Sequence, residues 1–203
     1  MRGVLITFEG VEGSGKTTQM TRLGRWLVRQ GYRVERTAEP DGTALGRAIR
    51  RLFEHRPTPL GEVFLFLAAR QQHVSEKIRP WLRQGRVVLC DRYTDATLAY
   101  QGWGRGVDVD LIRELNVRAT GGILPDLTLV LDLDPREGFR RIRRRHLDHF
   151  EREALAFHRR VRRGYREICR LEPKRVRLIR AGRPLAIVGG EIETVVGEFL
   201  RGV

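Results

Sequence analysis

The chain alternates between short apolar runs and longer segments in which apolar residues recur at helical spacing. Three of the runs are almost continuously apolar, as strands covered on both faces of a sheet are. Strands that alternate with helices are typical of a mostly parallel sheet with helices on both faces. The pattern therefore predicts an α/β fold with five strands, at residues 4–8, 32–37, 87–90, 127–131 and 176–179.

The segments between these strands carry helix signals. Gly31 is a stop signal for the first helix, Thr43 can cap the second, and Pro135 fits the first turn of a later one. The glycine-rich residues 101–106 are predicted to form a flexible loop. Helices are predicted after Lys16, at residues 43–53, over most of 61–83, up to Tyr100, at 109–120, after Pro135, at 153–171 and around 192–199.

Length and composition indicate one globular domain that covers residues 1–203. The hydrophobic fraction of 41% is that of an ordinary globular chain, and no internal repeat or linker is present. No segment approaches the ~20 consecutive apolar residues that a membrane span needs. Cys90 and Cys169 lack metal-binding or redox spacing. A reducing cytoplasm is therefore the simplest expected location.

The formal net charge of +14 is unevenly distributed. Residues 136–183 contain 17 arginines and one lysine against 6 acidic residues, which accounts for +12 of the total. Nucleic-acid binding is one explanation. A basic lid over a polyphosphate, together with solvated helix faces, is another. Net charge alone does not decide between them, and no nucleic-acid module is recognised, so nucleic acid is not the expected partner.

Residues 8–18, with the sequence FEGVEGSGKTT, complete the Walker A pattern G-x-x-x-x-G-K-[ST] between a predicted strand and a predicted helix. In that context backbone N–H groups and the helix N-terminus can surround phosphates. Lys16 can reach the β- and γ-phosphates, and the Thr17 hydroxyl can ligate Mg²⁺. The predicted fold is thus a P-loop NTPase fold, and the predicted nucleotide-binding residues are Gly10, Val11, Glu12, Gly13, Ser14, Gly15, Lys16, Thr17 and Thr18.

Further motifs resemble those of the thymidylate kinase family, from the first strand to about Tyr165. They are the P-loop at 8–19, the segment TAEPDGT at 37–43, DRY at 91–93, AYQG at 99–102, GRG at 104–106 and PDL at 125–127. The resemblance implies transfer of the γ-phosphoryl group of ATP to thymidine monophosphate, with Mg²⁺. It also implies a homodimer, to which the helices at 61–82 and 109–119 could contribute.

The resemblance also implies roles for residues beside the P-loop. Arg92 follows the third strand and would hold the acceptor phosphate, since a guanidinium can make a bidentate contact. Asp91 would orient Arg92 or the hydration shell of Mg²⁺. Glu12 would accept a hydrogen bond from the sugar hydroxyl of the acceptor. The expected catalytic set therefore includes Lys16 and Arg92.

Two helices would form the nucleoside site. Phe66 and Arg70 are four residues apart and share one helix face. By resemblance Phe66 would stack on the thymine, and Arg70 would donate to a base carbonyl. Tyr100 and Gln101 would close the site, with Tyr100 opposing a ribose 2′-hydroxyl. The alternatives are a core phenylalanine and an ordinary partly buried tyrosine. Glu39 and Pro40, in a turn after the second strand, complete the predicted substrate site.

The arginine-rich residues 140–151 resemble the lid of the family. Members with glycine rather than arginine at the Gly13 position resemble the bacterial type, in which the lid supplies the catalytic arginine. Arg144 is favoured because of its spacing to Asp148, and Arg140 is the second choice. The competing lid residues are Arg141, Arg143 and Arg145. A solvated basic helix face is the alternative for some of these residues.

Four positions depart from the family pattern: Ala38 replaces arginine, Asp41 glycine, Ala96 serine and His149 arginine. They leave the acceptor affinity and the details of the lid open but do not affect the reaction class. The adenine-binding loop is not assigned. The competing functions are another nucleoside monophosphate kinase and a nucleic-acid-binding P-loop NTPase.

Overall fold

A computed structural model describes residues 2–142 and 155–202 of the chain. In this part, five strands form one sheet in the order β2-β3-β1-β4-β5, and every neighbouring pair is parallel. The strands are β1 (Val4–Glu9), β2 (Val34–Ala38), β3 (Val87–Asp91), β4 (Leu127–Asp132) and β5 (Val176–Arg180). The predicted number of strands and the α/β class are confirmed, and the strand ends differ by at most two residues.

The described helices follow the predicted order. They are α1 (Lys16–Arg29), α2 (Ala44–Leu52), α3 (Pro59–His73), α4 (Arg79–Arg83), α5 (Thr94–Thr97), α6 (Val109–Thr120), α7 (Pro135–Ile142), α8 (Leu155–Leu171) and α9 (Leu185–Arg201). A short 3₁₀ turn at Phe53–His55 extends α2, and a π-helical segment at Val74–Ile78 joins α3 to α4. The hydroxyl of Thr43 caps α2 by accepting from the backbone N–H of Gly46.

Helices cover the sheet on both faces. Successive side chains of β1 point to opposite sides, as strand geometry requires. Leu5 belongs to a buried cluster with Val74 and Ile78, whereas Ile6 belongs to the main core with Leu23 and Leu27 of α1. The three central strands, β1, β3 and β4, are therefore buried along nearly their whole length. No described helix is long and apolar enough to cross a lipid bilayer.

The prediction of a flexible loop at residues 101–106 is wrong for residues 101–104. Leu98–Gly104 form a second π-helical segment, in which Gln101, Gly102 and Gly104 are buried. A Cβ on Gly104 would lie 2.8 Å from the ring of Phe157 in α8. Gly104 therefore permits close packing of this segment on α8. Glycines can serve either close packing or backbone flexibility, and the sequence pattern alone does not distinguish the two.

Candidate active site

The Walker A residues form a closed loop between β1 and α1. Gly15 precedes α1 with φ 92°, a conformation that side-chain-bearing residues rarely adopt. The ammonium of Lys16 donates to the carbonyl oxygens of Gly10 and Val11, at 3.0 and 3.2 Å. Burial lowers the pKa of Lys16, and the nearby Arg92 lowers it further. The loop therefore holds its own lysine against the phosphate-binding backbone.

Thr17 and Asp91 bring two oxygen ligands together beside this loop. The parallel pairing of β1 and β3 aligns Phe8 with Asp91, so the end of β3 lies next to the P-loop. The Thr17 hydroxyl donates to Oδ2 of Asp91 at 2.8 Å, and both residues line the same cleft. Mg²⁺ prefers oxygen ligands and is usually held by one or two protein groups together with substrate phosphates. This pair of residues fits such an ion.

Arg92 has an unusual backbone and a fixed side chain. Its φ of 69° lies in the left-handed region, which is costly for a residue with a side chain. Its backbone N–H donates to the carbonyl of Phe8 at 3.0 Å, and the next N–H, of Tyr93, donates to Oε1 of Glu9 at 2.7 Å. Contacts on both sides thus hold Arg92 in place at the carboxyl end of the sheet.

The side chain of Arg92 meets the P-loop acid and an aromatic ring. Its guanidinium pairs with Glu12 and lies 4.7 Å from the ring centroid of Tyr100. Burial by itself would raise the pKa of Glu12, but Arg92 and Lys16 hold that pKa well below its usual range. Glu12 is therefore an ionised acceptor, and the Tyr100 hydroxyl donates to it at 2.9 Å.

Arg70 is fully buried, and all three nitrogens of its guanidinium donate hydrogen bonds within the protein. Its Nε and Nη2 both lie 2.8 Å from Oε2 of Glu39, so α3 is tied to the loop after β2. The other acceptors are the Thr97 hydroxyl at 3.0 Å, Oδ1 of Asn116 at 2.6 Å and the carbonyl of Tyr93 at 2.9 Å. A thymine carbonyl would have to share or replace one of these partners, so the role of Arg70 toward the base stays a prediction.

Phe66 and Gln101 are also partly committed to the protein. The ring of Phe66 stacks on Phe53 with centroids 4.6 Å apart and planes at 29°, yet the residue is only half-buried and lines the cleft. The amide of Gln101 donates to Oε2 of Glu62 at 3.0 Å. Phe66 is thus neither a fully buried core residue nor free, and its stacking on a base stays a prediction.

One cleft of about 1310 Å³ joins the P-loop to the predicted nucleoside site. All eight predicted substrate-binding residues line it: Glu12, Glu39, Pro40, Phe66, Arg70, Arg92, Tyr100 and Gln101. So do Gly13, Gly15, Lys16, Thr17, Thr18 and Asp91. The remaining loop residues Gly10, Val11 and Ser14 are buried behind its surface. The cleft is large enough for two nucleotides, since single-ligand sites span about 300–1,000 Å³.

The predicted lid is described only at its beginning. Arg140 pairs with Glu137 on α7, is 66% exposed, and is not among the residues that line the cleft. Arg141 does line the cleft, pairs with Glu137 at 3.2 Å and points toward the carbonyl of Ala181 at 3.4 Å. Arg144, the first choice for the catalytic cation, lies outside the described residues, as do Arg143, Arg145 and His149.

The cleft contains further residues that the sequence did not single out. Thr97 accepts from Arg70 and lines the cleft. Arg183 and Leu185 line it near Arg141, after β5, and the Gln19 amide donates to the Leu185 carbonyl at 3.0 Å. Arg183 and Leu185 could have been identified only by their position after a predicted strand, because the carboxyl ends of parallel strands meet at one edge of the sheet. The departures Ala38, Asp41 and Ala96 also line the cleft.

Comparisons with known proteins agree with this geometry. A sequence model described as thymidylate kinase matches residues 8–192. The thymidylate kinase of Gloeobacter violaceus is 47% identical, with 98% of this chain and 96% of the relative aligned. That of a Synechococcus species is 50% identical, with 95% of each chain aligned.

A solved structure matches the fold as well. The crystal structure of thymidylate kinase from Ehrlichia chaffeensis superimposes with a TM-score of 0.79 at 34% identity, over 97% of this chain and 99% of that one. The family match spans the P-loop, the strand ends that carry Asp91 and Arg92, and the segment that carries Tyr100. The chain belongs to the thymidylate kinase family.

Proposed function

We propose that this protein transfers the γ-phosphoryl group of ATP to thymidine monophosphate and so forms thymidine diphosphate. The observation that carries the proposal is the position of Arg92, which lies between Glu12 of the P-loop and the Tyr100 ring within one cleft. A cation at this position can hold an acceptor phosphate next to the phosphates that the P-loop binds. Family membership supports the same reaction.

The donor phosphates occupy the P-loop end of the cleft. Phosphoryl transfer depends on positioning and charge neutralisation more than on covalent chemistry. Lys16 exchanges its contacts with the loop carbonyls for contacts with the β- and γ-phosphates. Thr17 and Asp91 hold Mg²⁺, which neutralises phosphate charge when it is bound. No strong general base is required, because the attacking group is already an anionic phosphate.

The acceptor occupies the end of the cleft between α3 and the segment after β3. Arg92 binds its phosphate, and Glu12 accepts from its sugar hydroxyl. Phe66 stacks on thymine, and Arg70 donates to a base carbonyl while Gln101 closes the site. Tyr100 is held by its hydrogen bond to Glu12, and its ring opposes a 2′-hydroxyl. Glu39 and Pro40 border the acceptor, with Glu39 holding Arg70 in place.

We further propose that the arginines at the start of the lid neutralise charge on the migrating phosphoryl group. Arg141 joins Arg140 and Arg144 as a candidate because it lines the cleft. Arginines in this role are worth about 10³–10⁵ in rate in other phosphoryl-transfer enzymes. The donor base lies toward Arg183 and Leu185, which border the same end of the cleft.

We also propose that the protein acts as a cytoplasmic homodimer. Several large apolar side chains of α3 and α6 are exposed, among them Phe64 at 53%, Leu60 at 39% and Leu111 at 38%. The two helices pack on each other, so these side chains could form one contact face. Sedimentation of the wild type and of Phe64→Glu tests this, since a charge on the contact face should shift a dimer to a monomer.

A coupled ADP-release assay across a panel of nucleoside monophosphates tests the function. We expect turnover that needs thymidine monophosphate and Mg²⁺, and near-complete loss of it in Lys16→Ala. The panel also separates this function from its competitors. Equal turnover with every nucleoside monophosphate, or ATP hydrolysis that nucleic acid stimulates, would contradict the proposal.

A further inference from the structure

The P-loop and α7 touch through their backbones at two glycines. A Cβ placed on Gly138 would lie 2.1 Å from the carbonyl oxygen of Glu12. A Cβ placed on Gly13 would lie 2.3 Å from the carbonyl oxygen of Gly138. Both obstructing atoms belong to the main chain, so no side chain can rotate away to make room. Relief of either clash needs a separation of roughly 1 Å, because a Cβ essentially never lies closer than 3.0 Å to another heavy atom.

This contact lies three residues before Arg141 in α7. Gly138 is buried, and its N–H donates to the carbonyl of Asp134 at 3.0 Å, within the first turn of α7. Arg141 follows three residues later, on the cleft. Three residues of α-helix span less than one turn and move as a rigid unit. A displacement of the helix at Gly138 therefore displaces Arg141 by a similar distance.

The P-loop is held in place by more contacts than α7 is. The P-loop is fixed by the bonds from Lys16 to Gly10 and Val11, and Val11 is itself buried in the core. The helix α7 has only eight described residues, and Arg141 reaches the carbonyl of Ala181 at the long distance of 3.4 Å. An added methyl group at Gly138 should therefore push α7 outward and leave the P-loop in place.

We infer that Gly138 is a positioning residue that sets the distance between the phosphate-binding loop and Arg141 of α7. Its lack of a side chain lets α7 seat directly on Glu12 and Gly13, which brings Arg141 to the phosphates. The contact also accounts for glycine at position 13, since any side chain there would begin where the Gly138 carbonyl lies. The inference rests on the proposed function, because it concerns phosphoryl transfer in the same cleft.

The competing explanation is that Gly138 has no role beyond α7 itself. Alanine is a better helix former than glycine, so without steric contact Gly138→Ala would strengthen the helix and leave activity unchanged. Gly190 in α9 provides the matched control. It is also a helical glycine, but nothing lies within 4 Å of a Cβ placed on it. Gly138→Ala and Gly190→Ala each add one methyl group, and each raises the helix propensity by the same amount.

The experiment measures kcat for thymidine monophosphate, the dissociation constant of ATP and the thermal melting of four variants: Gly138→Ala, Gly190→Ala, Arg141→Ala and the double variant Gly138→Ala/Arg141→Ala. Turnover is expressed per ATP-binding site, so that an unfolded fraction of any variant does not count. A misplacement of about 1 Å can cost on the order of a hundredfold in rate. We therefore expect kcat of Gly138→Ala to fall on the order of a hundredfold, while its ATP dissociation constant stays within about threefold of the wild-type value.

Gly190→Ala should match the wild type in kcat and in the dissociation constant of ATP. In the Arg141→Ala background, Gly138→Ala should cost little more, because the cation that it misplaces is already absent. A kcat of Gly138→Ala within about twofold of wild type would overturn the inference. So would an equal rise in the ATP dissociation constant, which would place the distortion in the P-loop, or a full further loss in the double variant. Absence of turnover in the wild type would instead refute the proposed function.

Discussion

Arg92 combines a strained backbone with a side chain held from two directions. A left-handed conformation costs on the order of 1–3 kcal/mol for such a residue and persists only where the surroundings enforce it. Here the enforcing contacts come from Phe8 and Glu9 of β1, so the residue that would bind the acceptor is fixed by the strand that leads into the P-loop. The predicted donor and acceptor sites therefore share one edge of the sheet.

Replacing Arg92 with alanine should weaken the acceptor much more than ATP. The change removes the cation that would bind the phosphate and leaves the partly buried Glu12 carboxylate without its main partner. We expect kcat/KM for thymidine monophosphate to fall on the order of a hundredfold, or about 3 kcal/mol. The ATP dissociation constant should change little. Arg118→Ala, at an exposed i,i+4 pair, is the control. If KM and kcat both stay near wild type, Arg92 does not hold the acceptor.

Replacing Tyr100 should relax discrimination against ribose. The ring is buried beside Glu12 and is also surrounded by Phe157 and Tyr165. Tyr100→Gly should raise activity on uridine monophosphate relative to its deoxy form, because space opens for the 2′-hydroxyl. Tyr100→Phe, which keeps the ring, should leave this ratio unchanged. Melting curves identify a loss of folded protein, and an unchanged ratio in Tyr100→Gly would assign the ring to packing alone.

At the scale of elements, side-chain networks join helices that are distant in the sequence. Arg70 of α3 bonds to Asn116 of α6, 46 residues away, and to Glu39 after β2. Arg175, just before β5, makes a bidentate pair with Asp95 of α5, at 2.7 and 2.9 Å. These ion pairs hold the elements that carry Thr97 and Tyr100 against the sheet. The nucleoside end of the cleft is thus preorganised by its supporting helices.

Asn116→Ala should destabilise the protein through this network. It leaves an N–H of the buried Arg70 without its partner, which typically costs about 1–3 kcal/mol. Denaturant unfolding measures the loss, and KM for thymidine monophosphate should rise as Arg70 shifts. Asn116→Asp keeps an acceptor for Arg70 and should retain most of the stability. Stability of Asn116→Ala equal to that of the exposed Glu114→Ala would show that the contact contributes nothing.

The arginines of the lid should act on the transition state and not on ground-state ATP binding. Alanine changes at the five positions should lower kcat unequally while the ATP dissociation constant stays nearly constant. These positions are Arg140, Arg141, Arg143, Arg144 and Arg145. Among the described ones, Arg141 should exceed Arg140, because only Arg141 lines the cleft. If all five variants keep kcat within about twofold, the cluster is a solvated face.

At the scale of the whole molecule, one buried acid should shape the dependence of stability on pH. Burial, with a further contribution from Asp95, raises the pKa of Glu9 to about 8, from 4.5. Between these values the unfolded chain releases this proton and the folded chain keeps it. Below pH 4.5 Glu9 is protonated in both states and does not lower the free energy of unfolding. As the pH rises from 4.5 toward 8, keeping this proton in the folded chain lowers the free energy of unfolding progressively.

Comparison of the wild type with Glu9→Gln isolates this effect. Glutamine keeps an acceptor for the Tyr93 N–H but cannot ionise. We expect the free energy of unfolding of the wild type, relative to Glu9→Gln, to fall by up to about 1.4 kcal/mol per pH unit between about pH 5 and 8. Denaturant titrations at four pH values measure the difference. A constant difference over this range would show that Glu9 titrates normally in the folded protein.

Local patterns in the sequence determined the elements, their order and the phosphate-binding loop. The strands of the sheet and the P-loop can be identified from neighbouring residues, because apolar runs and the spacing of glycines, Lys16 and Thr17 reflect short-range backbone requirements. The motifs that resemble the family led to the predicted acceptor residues, and all of these line one cleft. The same local reasoning mistook residues 101–104 of the packed segment Leu98–Gly104 for a loop, since the packing partner of this segment lies in α8.

Only the tertiary structure decided which residues meet. The contact of Gly13 with Gly138 and the hydrogen bonds from all three guanidinium nitrogens of Arg70 join positions that are far apart in the chain. So does the placement of Arg183 and Leu185 beside Arg141 at the cleft. A sequence pattern carries the preference of each residue for an environment. The identity of the partner depends on how the parallel strands bring their carboxyl ends to one edge, which no local pattern encodes.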